Sequence, residues 1–135
     1  MAGHFVRIRI RSNFSTIFRL LLSGFGNIYC KVFARENKRI GAILDEKWFL
    51  RTNSSVALAI FVEELSSDEC LVDLVSYAGG VGLLNISWDS HLDYIADVLR
   101  FLKSHNIEFK KEMEINYLYP TNWPDDVKRM LAELG

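Results

Sequence analysis

In Phe5-Val6-Arg7-Ile8-Arg9-Ile10-Arg11, apolar and basic side chains alternate strictly from Val6 to Arg11. Successive side chains of a strand point to opposite faces, so Val6, Ile8 and Ile10 belong to a buried face and Arg7, Arg9 and Arg11 to a polar one. Branched Val and Ile also favour extended backbone. Directly afterwards the period changes: Phe14, Ile17, Phe18, Leu21 and Leu22 recur at helical spacing, with Asn13 placed to cap them. Gly24 and Gly26 are expected to end this helix, one of them in a left-handed cap. A strand over Val6–Ile10 running straight into a helix over residues 14–23 sets the expectation of an α+β fold.

Outward from this unit, residues 27–35 alternate again. Ile28, Cys30, Val32 and Ala34 share one face, and Tyr29, Lys31, Phe33 and Arg35 the other. Glu36-Asn37-Lys38-Arg39 is a polar turn. Residues 40–51 give a mixed signal: Ile40, Ile43 and Leu44 fit a helical turn, Trp48-Phe49-Leu50 an extended segment, and a short strand ending near Arg51 is expected. Residues 55–64 form a strand apolar on both faces, which suits a central strand or a subunit interface. An acidic turn separates it from the strand at residues 70–77, and two such strands make an antiparallel hairpin. Leu92, Ile95, Ala96, Leu99 and Leu102 then form the stripe of a helix over residues 90–104. Residues 107–119 suit a loose edge strand, and Pro124-Asp125-Asp126 opens a last short helix.

The expected architecture is an antiparallel sheet of four or five strands, in the order β-α-β-β-β-β-α, with two main helices packed on one face and a short C-terminal helix. Residues 1–135 form one domain. Residues 106–135 are an extension that packs either on the body or on a partner subunit.

The net charge is −1, but it is unevenly spread: +7 over residues 1–51, −6 over residues 52–105 and −2 over residues 106–135. Either these segments face one another in the fold, or they leave one basic and one acidic face that favours self-association or an acidic partner. Two cysteines, Cys30 and Cys70, lie in apolar strand-like runs and are expected to be buried thiols in a reducing, cytoplasmic compartment, with a Cys30–Cys70 bridge as the alternative. No apolar run approaches the length of a membrane helix, and no secretory cleavage pattern follows the first apolar stretch.

The motifs that would carry chemistry are incomplete. Gly79-Gly80-Val81-Gly82 lacks the third glycine of a dinucleotide fingerprint and the lysine of a phosphate loop, so a tight turn or close backbone packing is its first reading. A shallow ligand site built from Tyr77, Gly79, Gly80, Gly82 and Trp88 is the alternative. His91 and His105 stand about 21 Å apart along a helix and cannot share a metal ion. Neither cysteine has an activating partner nearby, and Gly-x-Ser-x-Gly is absent. No catalytic residue, metal or cofactor is expected. Trp48, Tyr77, Trp88, Tyr117, Tyr119 and Trp123 are expected mostly to pack in or beside the core. Arg7, Arg9, Arg11 and Arg35 would suit nucleic-acid phosphates if they formed one exposed patch beside Tyr29 and Phe33.

The run Leu71–Phe101, with its Ser76-Tyr77-Ala78-Gly79-Gly80 turn, resembles small prokaryotic α+β domains of unknown function. The resemblance spans residues 5–104 and implies a layout but no activity. Three functions stay open. The first is a non-catalytic structural or interaction domain that self-associates as a homo-oligomer. The second is a small-molecule binder with a cavity between sheet and helices, and the third a weak nucleic-acid binder through the arginine-lined strand.

Overall fold

The alternation at the N-terminus becomes strand β1 (Gly3–Ile10), and the change of period becomes helix α1 (Phe14–Phe25). The structure is a computed structural model, and it describes residues 3–49, 54–78 and 90–135. Asn13 caps α1, its side chain accepting from the Thr16 N–H at 2.8 Å. The helix runs past Gly24 and is capped by Gly26, whose φ of −122° is not left-handed. Gly24 stays inside the helix because the Phe101 ring passes there, and a Cβ would lie 2.9 Å from it.

Strands β2 (Tyr29–Arg35), β3 (Lys38–Phe49), β4 (Ser54–Ser66) and β5 (Glu69–Ala78) follow as an antiparallel meander. Helix α2 spans Ser90–Ser104, strand β6 Phe109–Leu118, and helix α3 Asp125–Ala132 after a short 3₁₀ turn at Pro120–Asn122. The sheet has six strands in the order β2-β3-β4-β5-β1-β6, all neighbours antiparallel. The fold is therefore α+β as expected, with more strands than the four or five anticipated.

The expectation was furthest off at β3. Where a helical turn and a short strand were expected, one strand of 12 residues runs unbroken. Its inner face carries Gly41, Ile43, Asp45 and Lys47, so hydrophobic alternation is interrupted three times in four positions. Gly41 is there because the Phe18 ring of α1 lies on it, and a Cβ would come within 2.3 Å of that ring. The β2–β3 turn has Glu36 at φ 53° and Asn37 at φ 66°, the left-handed pair that a two-residue hairpin of matching twist requires.

The core lies between one sheet face and helices α1 and α2. Val6, Ile8 and Ile10 meet Leu58, Ile60, Val62, Val72 and Leu74 across the sheet, and Ile17, Leu21, Ile95, Val98 and Leu102 close over them. Each such side chain contributes about 1.5–3 kcal/mol by leaving water. Phe25 and Phe101 meet edge to face at 5.1 Å where the two helices converge.

Candidate interaction surface

Odd-numbered positions of β1 and β5 and their register partners point away from α1 and α2. This second face of the sheet divides into two regions.

At the β1–β6 side it is partly covered. Arg7 donates to Asp73 at 2.7 and 3.0 Å and to both carboxylate oxygens of Asp126 at 3.1 Å, tying α3 to the sheet. The hydrogen bonds that Arg7 donates to Asp73 lead in pushing its guanidinium further up, and its hydrogen bond to Asp126 holds that carboxyl below its usual range. Arg9 bridges Glu69 at 3.1 Å and also pairs with Glu112 of β6. Phe5 is buried beneath this cover. An apolar groove of about 410 Å³ remains between α3 and the sheet, lined by Phe5, Phe61, Val75, Leu118, Trp123, Val127 and Leu131.

Toward β2 the face is bare. Tyr29 and Phe33 of β2, Leu44 and Trp48 of β3, Phe61 of β4 and Tyr77 of β5 are 38–55% exposed. The register brings them together: Tyr29 lies opposite Leu44, Ala42 opposite Phe61, and Leu44 opposite Ala59. Strand β2 is exposed at every residue, because it lies at the end of the sheet with β3 as its neighbour. Cys30 is consequently exposed and not buried as expected; Cys70, three strands further in, is buried, its thiol pushed up to about 11 by desolvation, and both thiols are free.

The aromatic side chains expected to pack in or beside the core behave differently. Trp48, Tyr77, Tyr117, Tyr119 and Trp123 are all exposed. For Trp48 and Tyr77 the spacing gave no sign of this, because an apolar residue on an uncovered sheet face looks the same in sequence as one on a covered face; Tyr119 and Trp123 flank the 3₁₀ turn outside the sheet. Trp88, Gly79, Gly80 and Gly82 lie outside the described residues, so of the expected ligand site only Tyr77 is placed, on the bare face.

The arginines are not gathered into one patch. Arg7 and Arg9 are engaged by carboxylates on the second sheet face. Arg11 is exposed just beyond β1. Arg35 is exposed on β2, with β3, β4 and β5 between it and β1, a separation of about 19 Å at normal strand spacing.

A polar cleft of about 460 Å³ lies at the C-terminal end of α1, where residues 22–27 meet β3 and Tyr94. Sequence reading did not single out its central residue, Asp45, which is buried. Its Oδ1 accepts from the Asn27 N–H at 3.0 Å, and Oδ2 accepts from the Tyr94 hydroxyl. The Asn27 amide in turn donates to the Glu46 carbonyl at 2.9 Å and accepts from the Glu46 N–H at 3.0 Å. These bonds pin the α1–β2 connection to β3, which is a complete structural role. Among the described residues no three His, Cys, Asp or Glu side chains are grouped to hold a metal ion. Among those residues, too, no helix is long and apolar enough to cross a membrane.

Comparison of the chain with family models, with curated proteins and with solved structures found no match.

Proposed function

We propose that the protein is a non-catalytic interaction domain that associates with copies of itself through the bare part of the second sheet face. The observation that carries this reading is the run of exposed aromatic and aliphatic side chains from Tyr29 to Tyr77 on one continuous face. Scattered exposed apolar residues are ordinary, but a contiguous set on a rigid sheet marks a surface that is covered in use. Phe61 stands at the middle of it, beside both the bare region and the groove under α3.

The test is the mass in solution by light scattering or sedimentation. The wild-type chain is expected to be dimeric or larger at about 100 μM, a level at which interfaces of micromolar affinity are filled. Phe61→Glu is expected to lower the mass of the oligomer while leaving the chain folded. A wild-type chain that stays monomeric at that concentration overturns the reading.

A second reading, a small apolar ligand held under α3, draws on the groove volume, which falls within the usual range for small-molecule sites. Such a ligand would leave the mass unchanged, so the same measurement separates the two.

A further inference from the structure

We infer that β2 pairs antiparallel with β2 of a second copy about a two-fold axis through Val32, joining two sheets into one. This rests on the self-association proposed above and adds an edge contact to it: with the axis normal to the sheet, the bare faces of the two copies lie side by side as one wider apolar face. The two edges of the sheet differ in kind. Strand β6 carries Lys110, Lys111, Glu112 and Glu114 and is irregular beside Arg7 and Ile8, features that discourage pairing at an edge. Strand β2, with sequence Tyr29-Cys30-Lys31-Val32-Phe33-Ala34-Arg35, pairs in unbroken register with β3, and its outer side has no strand neighbour among the described residues.

The sequence of β2 selects the register. Antiparallel pairing of identical strands is isologous, with the axis normal to the sheet, so residues that oppose each other must share a face. The axis then passes through a residue, and only axes at Lys31, Val32 or Phe33 keep most of β2 paired. An axis at Lys31 opposes two lysines. An axis at Phe33 opposes Lys31 to Arg35. Like charges directly opposite one another disfavour both arrangements. The axis at Val32 pairs every residue of the strand: Tyr29 with Arg35, Lys31 with Phe33 and Cys30 with Ala34, each twice. On the bare face, every cation then lies against an aromatic ring. Lys31 and Arg35, which blunt the edge toward other strands, are thus compatible with this one partner.

Cysteine cross-linking in a Cys30→Ser background tests it, with unfolding of each variant compared to wild type; all the substituted side chains are exposed, so folding is expected to be unchanged. Under mild oxidation, Val32→Cys alone, or Lys31→Cys mixed with Phe33→Cys, is expected to form covalent dimer at least about tenfold faster than Lys31→Cys alone or Phe33→Cys alone. In the Val32 register the last two are diagonal pairs beyond disulfide reach. Both combinations are used because hydrogen-bonded and non-hydrogen-bonded pairs alternate along the ladder, and one of the two has the closer Cβ atoms. Fastest cross-linking by Lys31→Cys alone or Phe33→Cys alone overturns the register. A wild-type oligomer in which none of these cross-links overturns the edge pairing and leaves self-association standing. A monomeric wild-type chain overturns both.

Discussion

Asp45 is a buried carboxylate whose environment favours its neutral form. Desolvation pushes its pKa up, against the hydrogen bonds of the Asn27 and Glu46 backbone and the pull of Lys47. A carboxyl whose folded pKa lies above its unfolded value contributes most stability below the unfolded value, about 3.9, and loses it as the pH rises from there toward the folded value. Asp45→Asn keeps an oxygen for the Asn27 N–H and removes the titration. It is expected to be at least as stable as wild type at pH 7 in urea unfolding, and to show a flatter pH dependence above pH 4. Asp45→Ala leaves the Asn27 N–H and the Tyr94 hydroxyl without this partner and is expected to cost about 1–3 kcal/mol. Equal destabilisation by Asn and Ala would show that the charge itself, and not the pinning of the α1–β2 connection, is what β3 needs there.

Among the elements, α3 depends most on a single contact. It has eight residues, none of them buried, and Arg7 links its Asp126 to Asp73 on the sheet. The Asp126 carboxyl is depressed by Arg7, so its contribution is fully present above its unfolded pKa, about 3.9, and is lost as the pH falls through the lower folded value. In a Trp48→Phe, Trp88→Phe chain, Trp123 reports on the groove beneath α3, and its emission is expected to shift red as acid releases the helix. Asp126→Asn should weaken the docking by about 1 kcal/mol or less, as befits an ion pair whose carboxylate is partly exposed, and abolish that acid transition. An unchanged acid transition in Asp126→Asn would place the titrating group elsewhere. Legibility also divides by element. Strand β1, helices α1 and α2 and the β4–β5 hairpin were readable because their buried faces are apolar with period two or 3.6, apart from the facing pair His4 and Ser76. Strand β3 was not, because Gly41 and Asp45 are chosen by tertiary partners, Phe18 on one and the Asn27–Tyr94 pair on the other. The bare face was not readable either, since periodicity gives the face a residue lies on and not whether anything covers that face.

Over the whole molecule, the charge blocks of the sequence are largely folded against one another. The basic N-terminal third meets the acidic middle through Arg7–Asp73, Arg9–Glu69, Arg39–Glu64 and Lys47–Asp97, and meets the acidic tail through Arg9–Glu112 and Arg7–Asp126. With a net charge of −1, two copies neither repel nor attract one another strongly at long range. The association expected on this fold is therefore apolar and short-range, and its salt response follows. Raising sodium chloride from about 0.05 to 0.5 M shortens the Debye length from roughly 14 to 4 Å and is expected to change the dimer dissociation constant by less than about threefold, since few of the contributing contacts are long-range. Ammonium sulfate, which strengthens the burial of apolar surface, is expected to tighten the dimer. Association driven by opposed basic and acidic faces, the other arrangement that the charge blocks allow, would weaken steeply over the same sodium chloride range. Sedimentation at several salt concentrations distinguishes the two, and a steep loss would move the interface from the aromatic face of β2–β5 to the charged surface of the molecule.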